Sequence, residues 1–232
     1  MALQYKRVSL KLSGEALGGE SCLNFEAVDA VAAQVAALHR LGVEIGITLG
    51  GGNIWRGRSS GFSDRNRADH MGMLATVINS LALQDALEGL GVPTVVMSSV
   101  DMHRFCDSYT SRAARAALEA GKVVLFAAGS GLPFFSTDTA AALKAAEIGA
   151  DVLLLAKNVD GVYSDDPKLN KDAVRYTHLS YDEVIAQDLK ATDITAITLC
   201  REQRIPILAF AMRDESNVVK AVMGEAVGTL ID

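Results

Sequence analysis

The sequence predicts an α/β fold in which helices cover both faces of a mostly parallel sheet. Three observations lead there. Strand-like and helix-like periodicities alternate almost throughout the chain, as they do when crossover helices join parallel strands. The inner strand-like segments are continuous apolar runs, which burial on both faces requires. Half of the 232 residues are hydrophobic and 22% are charged, enough apolar material for one sizeable core.

Arg7–Leu12 (RVSLKL) reads as the opening strand. Residues 25–41 form a helix, because Val28, Val31, Ala32, Val35 and Leu38 recur at three- and four-residue spacing. Gly42 follows where a C-cap glycine belongs. Residues 43–49 make the next strand, a glycine-rich turn follows, and a long helical pattern runs from about residue 68 to 90, ended by Gly91. Thr94–Ser98 is a third strand, and residues 108–120 a helix with Asp107 or Ser108 as candidate N-caps. Residues 122–127 are a strand, 138–148 an alanine-rich helix and 152–155 another strand. Residues 165–176 are polar, contain Pro167 and read as a loop. Helices over 181–187 and 193–203, a strand over 207–210, a helix over 217–223 and a short strand Thr229–Ile231 complete the chain. No repeat or long linker interrupts it, so residues 1–232 read as one domain with a softer division near Asp151.

Composition excludes several function classes. Lys+Arg total 22 and Asp+Glu 28, a net charge of −6, and a net-acidic chain with no basic run is ill suited to neutralising nucleic-acid phosphates. No apolar run approaches the ~18–20 residues of a membrane span, and the first residues lack the apolar stretch of a secretory leader. Cys22, Cys106 and Cys200 are odd in number and far apart, which points to reduced thiols in a cytoplasmic protein. The four histidines are equally scattered, so neither a metal cage nor a Cys–His pair is visible.

In open parallel sheets, ligands bind beyond the carboxyl ends of the strands. The segments there are Ser13-Gly14-Glu15, Gly50-Gly51-Gly52-Asn53, Gly129-Ser130-Gly131-Leu132-Pro133, Asn158-Val159-Asp160-Gly161 and Met212-Arg213-Asp214. The chain has no P-loop, dinucleotide fingerprint or protein-kinase signature. Gly50-Gly51-Gly52 is either a plain turn or a concavity of inward N–H groups that attracts anions, and Arg56 lies four residues beyond it. Lys11, on the face of Ser9 and Arg7, either reaches solvent at the strand end or meets an anion. Asp138 either caps its helix or faces phosphates. Two glycine turns, a lysine and an arginine at one sheet edge, with carboxylates nearby, suit phosphoryl transfer, where catalysis is mainly positioning and charge neutralisation.

The same residues carry a family resemblance. Lys11-Leu12-Ser13-Gly14-Glu15, Gly50-Gly51-Gly52-Asn53 with Arg56-Gly57, and Asp160-Gly161-Val162-Tyr163 with Asp166-Pro167 resemble the amino acid kinase superfamily. Asp69-His70-Met71-Gly72-Met73-Leu74-Ala75-Thr76, then Asn79, and the run from Gly131 and Pro133 to Asp138 resemble its bacterial uridylate kinase branch. The likeness extends over essentially the whole chain.

The resemblance implies a three-layer α/β/α sandwich assembled as a homohexamer. It also implies transfer of a phosphoryl group from ATP to UMP with Mg2+ accompanying the ATP rather than held in a protein cage. Lys11, Leu12, Ser13 and Gly14 would lie along the ATP phosphates, Gly52 and Arg56 near the transferred group, and Asn158, Tyr163 and Asp166 on the adenine and ribose side. Gly51, Asp69, Ser130, Gly131, Leu132, Pro133, Phe134, Phe135, Ser136 and Thr137 would hold UMP. Asp138 and Asp193 would join Lys11 and Arg56 as catalytic groups by organising Lys11 and the metal. The acceptor part would be about residues 1–150 and the ATP part about 151–232. UTP is the expected inhibitor. GTP-activated members carry basic residues where this chain has Gln84 and Glu88, so weak GTP activation is expected. Acetylglutamate or carbamate kinases and a non-catalytic nucleotide sensor are the alternatives.

Overall fold

The computed structural model describes residues 3–19, 22–56, 61, 64–167, 169–189, 192–212 and 216–232. The chain runs β1 (Arg7–Leu12), α1 (Phe25–Arg40), β2 (Glu44–Leu49), α2 (Arg65–Gly89), β3 (Thr94–Ser98), β4 (Asp107–Ser108), α3 (Ser111–Glu119), β5 (Val123–Ala127) and α4 (Thr137–Ile148). It continues through β6 (Val152–Lys157), β7 (His178–Leu179), α5 (Tyr181–Ala186), α6 (Ile194–Gln203), β8 (Ile207–Ala211), α7 (Asn217–Val222) and β9 (Thr229–Ile231).

The strands form one sheet in the order β4-β3-β5-β2-β1-β6-β8-β9-β7. Its pairings are parallel except for β8 with β9. Strand alternation divides the core in two. Leu10, Leu12, Leu154 and Ala156 face one way, with Val28 and Val31 of α1, Leu83 of α2 and Val218 of α7. Val124, Phe126, Leu153 and Leu155 face the other, with Leu118 of α3, Ala141 of α4, Val184 of α5 and Ile197 of α6. This is the expected three-layer sandwich, and it explains why β5 and β6 are almost wholly apolar.

Several expected boundaries move. The long helix starts at Arg65, where Asp64 accepts from the amides of Asn66 and Arg67 at 3.0 and 3.3 Å. Its first turn is polar, so the apolar period begins later than the helix does. Asp107 and Ser108 are not caps: they pair with Met97 and Ser98 as β4, and Thr110 caps α3 by accepting from Ala113 N at 3.1 Å. Asp138 does not cap α4 either, because Ser136 accepts from Thr139 N at 3.1 Å. Within the polar stretch read as a loop, Arg175 forms an antiparallel bridge with Tyr163. Just beyond it, His178 and Leu179 make a strand beside β9.

Candidate active site

The carboxyl end of β1 lies at the middle of the sheet, and the candidate residues gather there. After β1 a single 3-10 turn, Gly14–Leu17, packs against the glycine turn that follows β2. A Cβ on Gly14 would lie 2.3 Å from Asn53 Oδ1 and 2.8 Å from Gly50 O, and one on Gly51 would lie 2.8 Å from Gly72 O of α2. These glycines are needed for close backbone approach rather than for a left-handed φ. Asn79, buried on α2, fixes the seam by donating to Gly50 O at 2.7 Å and exchanging amide hydrogen bonds with Asn53.

Lys11 leaves β1 on the α4 face and does not reach out to solvent: its side chain is only 14% exposed. Its Nζ lies 2.8 Å from Asp138 Oδ1, in the first turn of α4. The contact is an ion pair by distance, without the angle of a directed hydrogen bond at Oδ1. Thr192 Oγ1 donates to the other oxygen, Oδ2, at 2.7 Å. Burial would raise the Asp138 carboxyl, but Lys11, Lys157 and the Thr192 hydroxyl outweigh it and hold the group below its usual range.

Asp193 meets other partners than Lys11. Lys11 takes Asp138 as its partner, whereas Asp193 joins two helix N-termini. It accepts from Ser136 Oγ and, at 2.8 Å, from Thr139 Oγ1 on α4. It also accepts from Thr195 N at 2.8 Å as the cap of α6. Burial raises this carboxyl too, and those hydrogen bonds bring it below its ordinary value.

To the β2 and β5 side lies a cavity of about 260 Å³, lined by Gly51, Gly52, Asp69, Thr76, Phe135 and Thr137 among others. Ser130 and Leu132 also border it. Asp69 sits in its wall, gripped at both oxygens by Arg65 Nε at 2.8 Å and accepting from Phe134 N at 2.8 Å. The loop after β5 is unusual in its backbone: Ala128, Gly129, Gly131 and Phe134 all have positive φ. Side chains are rarely tolerated there, so the surroundings must impose that shape. Ala128 N donates to Thr76 Oγ1 at 2.8 Å, and Arg65 lies over the Phe134 ring, 5.7 Å from its centroid. Pro133 belongs to this same loop.

To the β6 side lies a groove of about 580 Å³, lined by Val159, Tyr163, Asp166, Pro167, Gln187 and Leu189 among others. Tyr163 OH and Arg175 Nη1 each donate to Asp160 at 2.7 Å. Between groove and cavity, Glu15 accepts from Arg56 through one oxygen and from Asn158 Nδ2, at 3.2 Å, through the other.

The structure thus brings Lys11, Ser13, Gly14, Gly52, Arg56, Asp138 and Asn158 to one sheet edge. Leu12 contributes only backbone there, since its side chain is buried in the α1-side core. Glu20, Ser21, Gly57, Arg213 and Asp214 lie outside the described residues. Sequence reasoning missed Arg65, Thr192 and Lys157. The four-residue spacing of Arg65 and Asp69 on one helix face was the available signal for the first.

A glycine seam, a buried lysine–aspartate pair and a cleft on either side define a kinase of the amino acid kinase type. The chain belongs to the amino acid kinase family, whose match spans residues 6–210. It is similar to the UMP kinase of Bacillus anthracis, at 36% identity and TM-score 0.95, over 98% of this chain and 96% of that one. It is equally similar to the UMP kinase of Ureaplasma parvum, with 36% identity and TM-score 0.93 over 99% of both chains. The uridylate kinase of Archaeoglobus fulgidus is 28% identical, with TM-score 0.76 over 98% of this chain and 100% of that one.

Proposed function

We propose that this chain transfers the γ-phosphoryl group of ATP to UMP, giving ADP and UDP. The observation that carries the reading is the placement of two clefts on opposite sides of β1, with Lys11 and Asp138 between them. UMP occupies the cavity beside α2, where Asp69 accepts from the ribose hydroxyls and the backbone from Phe135 to Thr137 reads uracil. ATP lies over the β1 turn, with its adenosine toward Asn158, Tyr163 and Asp166. The acceptor part is then about residues 1–150 and the ATP part about 151–232.

The UMP phosphate is already anionic near neutral pH, so in-line attack needs no general base. The obstacle is bringing two polyanions together, and Lys11, Arg56 and the glycine N–H groups offset it. For Arg56 to do so, Glu15 must yield it to phosphate. Among the described residues no three His, Cys, Asp or Glu side chains converge as a metal cage. Asp138 Oδ1 already has a cationic neighbour in Lys11 Nζ, 2.8 Å away. Magnesium would come as part of the ATP complex, supplying further neutralisation of phosphate charge.

We extend the reading to a cytoplasmic homohexamer inhibited by UTP, which shares the uridine contacts. Leu74, Ile78 and Leu81 support self-association, because they form an exposed apolar stripe along one face of α2. No helix is long and apolar enough to cross a membrane among the described residues, and the net charge of −6 gives no reason to expect nucleic acid.

The test is ADP release with UMP, CMP, acetylglutamate or carbamate as acceptor. UMP should exceed CMP in kcat/KM by a factor of order 10⁴, because cytosine leaves buried uracil-reading groups unpaired. Comparable rates with UMP and CMP, or turnover of another acceptor alone, would overturn the reading.

A further inference from the structure

Buried serines and threonines in this chain donate to backbone carbonyls: Ser80 to Thr76 O at 2.8 Å, Thr94 to Val92 O at 3.0 Å and Ser98 to Val100 O at 2.6 Å. Thr48, wholly buried on β2, is the exception among the described residues, because its Oγ1 meets no hydrogen-bond partner. An unpaired buried hydroxyl costs stability, and a valine of nearly the same shape would fill the place without that cost. The hydroxyl is a group that the reaction described above does not use.

Its place in the sheet suggests a use. The register sets Thr48 opposite Lys11 of β1 and opposite Phe126 of β5, so all three side chains leave the sheet on the face that α4 covers. Neighbouring strands lie about 4.8 Å apart, which sets the Thr48 side chain beside the stem of the lysine. Phe126 leans away toward Gly46, two residues before Thr48, where an added Cβ would lie 2.7 Å from Phe126 Cε2. Thr48 is thus left between Lys11 and α4, which packs on both β1 and β2. A second oxygen without a directed hydrogen bond belongs to the other neighbour of the lysine: Asp138 Oδ1 is buried, 2.8 Å from Lys11 Nζ. Thr48 lies on the β2 side of β1, the side of the cavity assigned to UMP.

We propose that Thr48 is a positioning residue for Lys11, its hydroxyl accepting an N–H of the ammonium on the β2 side once phosphate occupies the clefts. The proposal rests on the phosphoryl transfer read above. A lysine ammonium has three donors: here one meets the Asp138 carboxylate, one the Thr48 hydroxyl and one the phosphoryl group in flight. Contacts of this kind are often long in an empty site and tighten only when the reacting groups are bound, which is why the hydroxyl is unbonded in this structure. Without it the ammonium has a single fixed neighbour and turns about the Asp138 contact. Transfer depends on the direction of that third N–H, whereas the affinity of either cleft for its nucleotide does not.

The experiment measures initial rates and melting temperatures for the wild-type chain, Thr48→Val, Thr48→Ser, Lys11→Ala and the double variant Lys11→Ala with Thr48→Val. Thr48→Val should lower kcat about tenfold, the worth of one hydrogen bond to a charged group, and leave the KM for UMP and for ATP within about twofold. Its melting temperature should hold or rise, because an unpaired buried hydroxyl has gone. Thr48→Ser keeps the hydroxyl and should recover most of the rate. With Lys11 already removed, Thr48→Val should change kcat by less than about twofold, since the hydroxyl acts only through the lysine. Thr48→Ala decides the same comparisons should the valine variant not fold. Wild-type kcat in Thr48→Val, equal losses in the serine and valine variants, or a full further loss in the Lys11→Ala background would each overturn the proposal. Turnover of UMP by the wild-type chain tests the function separately, because the ratios between variants can be read with whichever acceptor the wild type uses.

Discussion

The two clefts beside β1 are built differently. The cavity on the β2 and β5 side is tied by hydrogen bonds between α2 and the loop after β5: Ala128 N donates to Thr76 Oγ1 in a buried contact, and Asp69, itself paired with Arg65, accepts from Phe134 N. The groove on the β6 side is shaped largely by exposed side chains of its own segment, with Tyr163 and Arg175 meeting on Asp160. Buried hydrogen bonds that cross layers are costly to break, whereas exposed ones exchange with water at little loss. On the proposed function, discrimination would belong to the cavity that takes the acceptor, and the groove would adapt around a nucleotide held chiefly by its phosphates. Lys11, between the two, should serve neither cleft's affinity as much as the transfer itself.

The largest effect expected from this contrast is that of Lys11→Ala. Transition-state contacts of this kind contribute roughly 3 kcal/mol, so kcat should fall more than a hundredfold while UMP affinity and the melting temperature change little. A fall in UMP affinity matching the fall in kcat would place Lys11 inside the acceptor cavity. Next is Asp69→Ala, which removes an acceptor for the ribose hydroxyls and frees Phe134 N at once. A hydrogen bond to a charged group contributes about 1.5–3 kcal/mol, so the KM for UMP should rise ten- to a hundredfold with ADP affinity unaltered. Matched losses for UMP and ADP would mean that the clefts are not separately built.

The smallest effect concerns α2, on the exposed face away from both clefts. Gln84 Nε2 donates to Glu88 Oε1 at 3.0 Å, an ordinary one-turn pair. A triphosphate effector there would meet a carboxylate, a penalty of a few tenths to about 1 kcal/mol for exposed charges. GTP should activate weakly, and Gln84→Arg or Glu88→His should increase the response. A GTP titration at low and saturating UMP checks this, and strong wild-type activation unaltered by either variant would contradict it.

Much of this architecture was legible in the sequence, for identifiable reasons. Apolar runs marked strands buried on both faces, and glycines such as Gly42 and Gly91, both with positive φ, marked helix ends. What stayed hidden was short or non-local. Asp107–Ser108 and His178–Leu179 are two-residue strands with no period to detect. The Lys11–Asp138 pair joins residues distant in the chain, so local reading left Asp138 as a possible cap. Lys157 ends an apolar run and reads as any strand-end lysine until the register places it beside Lys11. Asp193 illustrates the opposite case: its position was apparent, but its partners, Ser136 and Thr139, emerge only when two helix ends meet.

The seam at Gly14 bears on how such enzymes can be recombined. With Gly14 pressed against Gly50 O and Asn53 Oδ1, the turns after β1 and β2 interlock like the teeth of a zip. A chimera joined near Asp151 keeps both turns of this seam from one parent, though it must still match the amides of Lys6 and Arg7 to the Asp151 carboxylate. A cut between Leu12 and Asn53 would ask two turns with separate histories to mesh where even an added Cβ on Gly14 would clash with Asn53 Oδ1 and Gly50 O.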